Sequence, residues 1–421
     1  VCVHIPDIVR RYRVDEILIA IPSATGAQLL RITGYCRESG VPFRTAPSVD
    51  DLPECRLSLP QIREVRIEDL LGRQPVRLDR QLIEANLQGH VVLVTGAGGS
   101  IGSELALQVA AAAPARLVLV DRAESELYEL ERTLRRRWQA LDIVAVVADV
   151  LDEAELAEVF RTFPPARVYH AAAYKQVPIM ERHPVAAARH NVLGTANVLA
   201  AATAAGAEQF VLMSTDKAVR PASVMGATKR AAERVMLSTR GASQPRCSIV
   251  RFGNVLGSKG SVVPLFQRQI AAGGPVTVTH PDVVRYFMTV HEAVQLVLQA
   301  SAMARGGEIF HLDMGELVRV ADLAEQLIRL SGLEPGRDIA IEYVGLRPGD
   351  KLVEELLIAA NEVQDTAHPR IKVVRSAESS ALRQDWLTDL ADAAGRRDAA
   401  AVMALVREAV PEYTPSQAVL E

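Results

Sequence analysis

The stretch Val91-Val-Leu-Val-Thr-Gly96-Ala-Gly98-Gly99-Ser100-Ile101-Gly102 decides the fold of this chain. An apolar strand runs into a glycine-rich turn, and a helical pattern follows. Tight turning, close approach of the backbone to a pyrophosphate and close packing of helix on strand each require a glycine. The helix presents its unpaired N–H groups and its positive dipole end to the phosphates. The stretch predicts a dinucleotide site whose cofactor contacts are Gly96, Gly98, Gly99, Ser100, Ile101 and Gly102.

Two acidic residues follow the next predicted strands. Asp121 ends the second strand, where a carboxylate can accept hydrogen bonds from the adenosine ribose and would repel a 2′-phosphate. This favours NAD over NADP, although the neighbouring Arg122 keeps NADP open. Asp149 and Val150 follow the third strand, where we expect them to contact the adenine.

Strands and helices alternate through the middle of the chain. Apolar segments at Val91–Thr95, Leu117–Val120, Ile143–Val147, Val168–His170, Phe210–Met213 and Ser248–Arg251 are separated by helical patterns. This alternation predicts an α/β fold with a doubly wound parallel Rossmann sheet.

Composition shifts divide the chain into five predicted parts. Residues 1–72 read as a partial N-terminal α/β domain of strand, helix and strand, and 73–90 as a linker with one short helix. Residues 91–253 form the NAD-binding domain, and the irregular segment 254–375 forms a smaller, mainly substrate-binding lobe. The tail 376–421 is predicted to be helical, with no identifiable chemistry.

The composition excludes several function classes. The 421 residues carry 47 basic and 51 acidic side chains, a net charge of −4, which argues against a nucleic-acid or anionic-membrane surface. Aromatic residues make up only 4% of the chain, too few for a base-stacking platform. The four cysteines are scattered without metal-ligand spacing, and no metal site is predicted. No apolar run reaches the roughly 18 residues that span a bilayer.

A polar cluster follows the fifth predicted strand. Thr215, Asp216 and Lys217 come at the carboxyl end of that strand, where doubly wound folds place their chemistry. Met225 and Lys229 follow with the spacing that puts two side chains on one face of a helix.

These motifs together resemble the extended short-chain dehydrogenase/reductase superfamily, in which TGxxGxxG binds the cofactor and a Ser/Thr with Tyr-x-x-x-Lys performs hydride chemistry. The resemblance is closer to one branch, the UDP-N-acetylglucosamine 4,6-dehydratases of bacterial polysaccharide and glycan biosynthesis. The matching segments are Ala171–Glu181, Asn191–Asn197, Ser214–Pro221, Arg251–Ser258 and Arg347–Lys351.

One residue departs from the superfamily pattern, because Met225 occupies the place of the catalytic tyrosine. A thioether cannot accept a proton, so the ordinary tyrosine-based oxidation is impossible. The large membrane-associated members of the branch are known for methionine here and are associated with retention at sugar carbon 5. The short tyrosine-containing members are associated with inversion.

The resemblance implies a three-step reaction. Hydride passes from carbon 4 of the sugar to NAD, water is eliminated across carbons 5 and 6, and hydride returns to carbon 6. Lys229 is expected to bond the nicotinamide ribose and to stabilise a developing alkoxide. Thr215 would hold the carbon 4 hydroxyl, and Asp216 would donate a proton to the departing carbon 6 hydroxyl. Lys217 is expected to be the base at carbon 5, with a pKa tuned by burial and by Lys229.

The resemblance also assigns the remaining contacts. Asn254, Lys259 and Arg347 are placed near the UDP group, and Arg285 is a further candidate for the diphosphate because a guanidinium suits bidentate phosphate contact. Ala171, Ala172 and Ala173 are expected to line the cofactor site. Tyr174 and Lys175, in the same loop, could contact either the cofactor or the sugar, and we expect them to bind substrate.

The expected substrate is therefore UDP-N-acetylglucosamine or a related UDP-sugar, with NAD as cofactor and a homo-oligomer as the assembly. The long members of the branch have transmembrane helices upstream of the first domain, which this sequence lacks. Because the chain opens with Val1, we expect a fragment of a protein at the cytoplasmic side of the bacterial inner membrane.

Two alternatives remain open. A nucleotide-sugar 4-epimerase would share the fold and the cofactor, but it would need a tyrosine where Met225 stands. A non-catalytic dinucleotide sensor could lack the tyrosine, but it would have no use for Thr215, Asp216 and Lys229.

Overall fold

The computed structural model describes residues 4–21, 24, 26–46, 65, 76–238, 244–355, 363–374 and 382–416. The chain forms two compact units. The first comprises Val1–Arg77, Gly260–Asp282 and Val318–Val344, and the second comprises Leu78–Lys259, Val283–Leu317 and Gly345–Glu421. The predicted substrate lobe 254–375 is therefore divided between the two units. Much of the predicted first domain, 47–64 and 66–75, lies outside the described residues.

The strands of the described residues are β1 (Ile17–Ile19), β2 (Phe43–Thr45), β3 (Val91–Thr95), β4 (Arg116–Asp121), β5 (Ile143–Val147), β6 (Arg167–His170), β7 (Gln209–Thr215), β8 (Arg246–Phe252), β9 (Asn254–Leu256), β10 (Val276–Val278), β11 (Val284–Thr289), β12 (Glu308–Leu312), β13 (Leu317–Arg319), β14 (Ile341–Tyr343), β15 (Val363–Asp365) and β16 (Ile371–Val374).

The α-helices of the same residues are α1 (Ile5–Tyr12), α2 (Gly26–Glu38), α3 (Arg80–Leu87), α4 (Ser100–Ala111), α5 (Glu124–Arg137), α6 (Glu153–Thr162), α7 (Val177–Arg182), α8 (Pro184–Ala188), α9 (Gly194–Ala204), α10 (Val224–Ser238), α11 (Val262–Ala271), α12 (Val290–Met303), α13 (Val320–Leu330), α14 (Trp386–Gly395) and α15 (Ala399–Ala409). A π-helical segment, Arg189–Leu193, joins α8 to α9.

The largest sheet has the strand order β15-β16-β12-β8-β7-β6-β3-β4-β5 among the described residues. The strands from β12 to β5 pair in parallel, and β16 pairs antiparallel with β12. Chain order reverses between β3 and β6, and ligands of doubly wound sheets bind in the crevice at such a reversal. The predicted doubly wound α/β fold is confirmed.

Three strands beyond residue 253 extend this sheet, so it is larger than the sequence pattern indicated. β12 pairs with β8, and β16 and β15 follow at the edge. These strands are short and lie between loops, a pattern that hides their long-range pairing in the sequence. The first unit by itself holds two parallel strand pairs, β1 with β2 and β10 with β14.

The strands of the sheet are apolar because both faces are covered by helices. Leu93, Val118, Val168 and Phe210, on four strands of the sheet, are all fully buried in one core. Within the described parts of the chain, no helix combines the length and the apolar character needed to cross a membrane.

The C-terminal helices support the helix that carries Lys229. Trp386 of α14 is fully buried in a cluster that includes Ala227 and Ala231 of α10. Beyond α15, the N–H of Thr414 donates to the carbonyl of Pro221 at 3.0 Å, and the N–H of Ser416 donates to Ala222 at 3.1 Å. The tail therefore holds the loop that leads into α10, a role that its composition did not reveal.

Candidate active site

The glycine turn after β3 packs too tightly for side chains. Gly96 has a φ of +67°, and a Cβ on it would lie 2.6 Å from the main-chain nitrogen of Ala172. A Cβ on Gly102 would lie 2.0 Å from the carbonyl oxygen of Gly96. Since real Cβ atoms do not come so close to backbone, only glycine permits helix α4 to begin against the turn. Its first N–H groups are thereby brought to the end of β3.

Asp121 is held beside this turn. Its Oδ2 accepts a hydrogen bond from the N–H of Gly98 at 2.8 Å, and its Oδ1 accepts one from Ala123 at 2.9 Å. The carboxylate is thus fixed next to the glycines, where it can meet ribose hydroxyls as the sequence predicted.

A cleft with about 610 Å³ of empty space, partly open to solvent, begins at this turn. Its walls are the glycine turn, the ends of β4 and β5, and the loop after β6, with Gly96, Asp121, Asp149, Ala172, Tyr174 and His190 among them. Val150, Ala171 and Ala173 also line it. Gly99 and Arg122 line it too, whereas the other predicted cofactor residues, Gly98, Ser100, Ile101, Gly102 and Lys229, are not among its walls.

Arg122 organises the far end of the cleft. Its guanidinium donates to the hydroxyl of Tyr174 at 2.5 Å and contacts Nε2 of His190 at 3.0 Å. The rings of Tyr174 and His190 are 4.1 Å apart, and the carboxylate of Asp149 lies 3.6 Å from Arg122. The hydrogen bond to Tyr174 and the charge of Asp149 raise the pKa of Arg122 above the ordinary value of an arginine.

Tyr174 lies at the far end of this cleft, where Arg122 donates to its hydroxyl, and its expected contact with substrate stays a prediction. His190 was missed by the sequence analysis, and it enters the cleft from the π-helical segment, a feature that often marks functional sites. Only its position next to Asn191, in a segment that resembles the family, could have pointed to it.

We expect Gly102→Ala to weaken NAD binding about 10-fold, equivalent to about 1.4 kcal/mol. The added methyl group would force α4 away from Gly96 and so move the N–H groups that face the phosphates. The dissociation constant can be measured by isothermal titration calorimetry. Gly395→Ala is the matched control, since a Cβ there meets nothing within 4 Å. An unchanged affinity for Gly102→Ala would show that the close approach of helix and turn is unnecessary.

The residues predicted to react lie at the end of β7, where the chain makes a short 3₁₀ turn from Asp216 to Ala218. The hydroxyl of Thr215 donates to Oδ1 of Asp216 at 2.9 Å. Nζ of Lys217 donates to the same Oδ1 at 3.1 Å and to Oδ1 of Asn254 at 3.0 Å. The second oxygen of Asp216, Oδ2, is buried and has no hydrogen-bond partner.

Burial and two carboxylates act in opposite directions on Lys217. Burial works to lower the pKa of its ammonium group, but the carboxylates of Asp216 and Glu354 outweigh burial, and the pKa is raised. Lys229 is not among the groups that shift it. The two carboxylates thus favour the charged form of Lys217 against the effect of burial, and its role as a base stays a prediction.

Helix α10 brings Lys229 to the same edge of the sheet. A Cβ on Gly226 would lie 2.2 Å from the carbonyl oxygen of Lys217, so this glycine lets the helix touch the 3₁₀ turn. Nζ of Lys229 donates to the carbonyl of Met213 at 2.6 Å. Burial lowers the pKa of Lys229 to about 8, and the charge of Glu233 opposes burial only in part.

Met225 lies on the same helix and is buried. It packs in an apolar cluster with Val177, Met180, Ala187 and Val224. In this structure it contributes packing, and its thioether offers no proton.

A buried ion-pair network lies behind these groups. Glu233 of α10 accepts hydrogen bonds from Arg251 at 2.8 and 2.5 Å, from Ser214 at 2.6 Å and from Arg230 at 3.0 Å. Although burial works to raise it, the pKa of Glu233 is held at about 2 by these partners, Arg251 foremost. The network fixes α10 to β7 and β8.

The other predicted substrate residues are placed differently. Arg285 donates to the carbonyls of Val284, Lys351 and Leu352, so its guanidinium is engaged by main chain and we withdraw it as a diphosphate ligand. Nζ of Lys259 pairs with Glu126 at 3.2 Å, and the N–H of Lys259 donates to Ser100 at 3.0 Å beside the glycine turn.

Arg347 and Lys175 are both largely exposed. Nε of Arg347 donates to Asp350 at 3.0 Å, and Lys175 lies in the loop after β6. Nothing in the described residues places them against Asp216.

Glu354 was missed altogether. Its side chain is only 4% exposed, and its Oε1 lies 3.6 Å from Nζ of Lys217. It comes three residues after the segment Arg347–Lys351 that resembles the family, a local signal too weak to select it.

Comparisons with known proteins agree with this geometry. A family model described as "Polysaccharide biosynthesis protein" matches residues 92–376. The capsular polysaccharide biosynthesis protein CapD of Staphylococcus aureus is 49% identical over 355 residues, which cover 84% of this chain and 59% of that protein. The chain thus spans less than two thirds of the length of this relative.

Two further relatives carry more specific names. The UDP-glucose 4-epimerase of Rickettsia canadensis is 39% identical over 193 residues, 45% of this chain and 55% of that protein. The UDP-N-acetylglucosamine 4,6-dehydratase (inverting) of Campylobacter jejuni is 29% identical over 279 residues, 65% of this chain and 79% of that protein.

Among solved structures, Pen from Bacillus thuringiensis superposes with a TM-score of 0.64 at 31% identity and covers 69% of this chain and 90% of its own. MoeE5 in complex with UDP-glucuronic acid and NAD has a TM-score of 0.51 at 27% identity, with 62% of this chain and 87% of its own covered. The chain therefore belongs to the polysaccharide biosynthesis protein family, within the extended short-chain dehydrogenases/reductases that its motifs resemble.

Proposed function

We propose that this chain is an NAD-dependent nucleotide-sugar 4,6-dehydratase. Its substrate would be UDP-N-acetylglucosamine, converted to the UDP-4-keto-6-deoxy sugar with retention at carbon 5. The observation that carries the proposal is the joining of Thr215, Asp216 and Lys217 by hydrogen bonds at the end of β7, beside Lys229. An acid, a cation and a buried lysine at that edge suit a reaction that moves protons as well as hydride.

The cleft fits a nicotinamide dinucleotide. Gly96 and Gly102 leave the turn without side chains, and Asp121 stands beside it. Arg122 is engaged by Tyr174, His190 and Asp149, an arrangement that supports NAD over its 2′-phosphorylated form. When bound, NAD supplies the site that accepts hydride from the sugar and later returns it.

The chain's own residues would then perform the proton steps. Lys229, as a cation, would stabilise negative charge on the carbon 4 oxygen, which the hydroxyl of Thr215 would hold while the carbon 4 hydroxyl proton passes to solvent water. Asp216 would take up a proton from solvent water and give it to the carbon 6 hydroxyl as it leaves. Lys217 would remove the carbon 5 proton after giving up one of its own, since it is a cation at rest.

The 4-epimerase is the second candidate, because a relative of that name shares part of the chain. Asp216 and Lys217 argue against it, since an epimerase needs no acid and base for the loss of water. Anchoring at the bacterial inner membrane, the homo-oligomeric state and the pathway that uses the product stay predictions.

The deciding experiment is incubation with UDP-N-acetylglucosamine and catalytic NAD in deuterated water, followed by mass spectrometry and proton NMR. We expect a product that has lost one water molecule and has gained one deuterium at carbon 5, with coupling constants that show retention. A product of unchanged elemental composition, inverted at carbon 4, would identify an epimerase instead. Recovery of unaltered sugar by a protein that binds NAD would favour the sensor.

A further inference from the structure

The ammonium group of Lys217 makes two hydrogen bonds and one ion pair with oxygen atoms. Asp216 and Asn254 accept the hydrogen bonds, at 3.1 and 3.0 Å, and Oε1 of Glu354 lies 3.6 Å away. A lysine held in this way cannot accept another proton. To act as a base, as the proposed function requires, it must first pass a proton to a neighbour.

Glu354 is suited to be that neighbour. Its carboxylate is almost fully buried, and its Oε1 lies 3.8 Å from Nε of Arg285 as well as near Lys217. Asp216 is reserved for the carbon 6 hydroxyl in the proposed reaction, and Asn254 is an amide that does not titrate. Of the two carboxylates beside Lys217, Glu354 is therefore the one to which the proposed reaction gives no other role.

The position of Glu354 is fixed by main-chain contacts. The N–H of Val284 donates to the carbonyl of Leu352 at 3.0 Å, and Arg285 donates to the carbonyls of Lys351 and Leu352 at 2.8 and 3.1 Å. These bonds tie the segment that ends in Glu354 to β11. Arg285, which we no longer assign to the diphosphate, thus has a structural role next to Glu354.

We propose that Glu354 is the positioning residue that takes a proton from Lys217 and thereby turns it into the base at carbon 5. The proposal rests on the dehydratase function. An N–H bond of Lys217 breaks and an O–H bond forms on Glu354, which leaves a lone pair on Nζ. That lone pair takes the carbon 5 proton, and Lys217 is again a cation, while the electrons of the C–H bond pass toward carbon 4.

This transfer leaves the total number of bound protons unchanged. The carbon 5 step in the wild type should therefore depend little on pH. In Glu354→Gln the proton must leave to solvent, so the step should slow about 100-fold near pH 7 and recover about tenfold for each pH unit. The charged groups that face Lys217 are Asp216 from its own turn, Glu354 from its segment and Arg285 from β11. Burial lowers the pKa of His311 of β12 to about 4, although the charge of Asp216 opposes this, so His311 is neutral over the range tested.

The test is the pH profile of kcat from pH 5.5 to 7.5, below the pKa of about 8 of Lys229, for the wild type, Glu354→Gln and Glu354→Asp. We expect a flat profile in the wild type and Glu354→Asp, and a rising one in Glu354→Gln. Glu355→Gln is the matched control, because it removes the same charge from the adjacent position, which pairs with Arg220 and Lys351. A Glu354→Gln profile parallel to that of the wild type would overturn the proposal, since a purely structural defect slows the reaction equally at every pH.

A second measurement does not depend on turnover. Competitive labelling with acetic anhydride, read by peptide mass spectrometry, reports the pH at which each lysine loses its proton. In Glu354→Gln, half-labelling of Lys217 should occur about one pH unit lower than in the wild type. If the wild type fails to dehydrate the sugar but this shift is present, the proposed function is wrong, whereas the coupling between Glu354 and proton loss from Lys217 is supported. An unchanged labelling pH in Glu354→Gln would refute the coupling itself.

Discussion

Asp216→Asn is expected to slow the release of water from the sugar about 1,000-fold while carbon 5 continues to exchange its proton with solvent. The carbon 6 hydroxyl is a poor leaving group unless it receives a proton as it departs. An amide in place of the Asp216 carboxyl cannot supply that proton. Oxidation at carbon 4 and proton removal at carbon 5 use Lys229 and Lys217, which remain in the variant.

The measurement separates these steps. In deuterated water, Asp216→Asn should return UDP-N-acetylglucosamine that has gained deuterium at carbon 5 but has lost no water. Lys217→Met, by contrast, should lose both the exchange and the dehydration. Asp365→Asn serves as the control for removal of a carboxylate, since that side chain is 85% exposed on β15. Dehydration by Asp216→Asn at the wild-type rate would remove Asp216 from the mechanism.

The fold could be predicted from sequence because its signals are local. The apolar run into Gly96, the acidic end of β4 and the pairing of Met225 with Lys229 on one helical face all lie within short stretches of chain. Buried parallel strands are read as continuous apolar runs, and glycines are required where backbone approaches backbone. The structure accordingly places Asp121 beside the glycine turn and Lys229 against the end of β7.

The rest of the site depends on contacts between distant parts of the chain. Glu354 meets Lys217 across 137 positions, so no spacing rule could link them. The carboxylates of Asp216 and Glu354 together outweigh burial and raise the pKa of Lys217. Arg285 looked like a phosphate ligand by residue type, but the main-chain carbonyls that engage its guanidinium are visible only in the fold.

Glu233→Gln is expected to lower the free energy of unfolding by about 3 kcal/mol at pH 7, because it leaves Arg251 buried without its anionic partner. The substitution keeps the shape of the side chain and removes its charge. Urea unfolding can be followed through the fluorescence of Trp386, which is fully buried against α10, in a Trp138→Phe background where it is the only tryptophan. The control is Glu412→Gln, which removes a half-buried partner of Arg230 and should cost less.

The stability lost in Glu233→Gln should become smaller as the pH falls. The pKa of Glu233 in the folded protein is about 2, below the ordinary value of 4.5. Its charge therefore stabilises the fold above the unfolded pKa, and this contribution disappears as the pH falls from about 4.5 toward about 2. The stability difference between wild type and Glu233→Gln should shrink over that range. A difference that stays constant with pH would show that packing, and not charge, explains the loss.

Glu233 also links stability to the proposed chemistry. It accepts a hydrogen bond from Ser214, next to Thr215, and its negative charge opposes the effect of burial on the pKa of Lys229. Without that charge the pKa of Lys229 should fall further below about 8, so a smaller fraction of the lysine would be cationic at neutral pH. As the pH rises, kcat of Glu233→Gln should therefore begin to fall at a lower pH than kcat of the wild type does. Replacing both Glu233 and Arg251 by apolar residues should restore much of the stability, because well-packed apolar side chains can substitute for a buried ion pair. It should not restore the pH dependence of kcat, because Lys229 would still lack the negative charge that keeps it cationic.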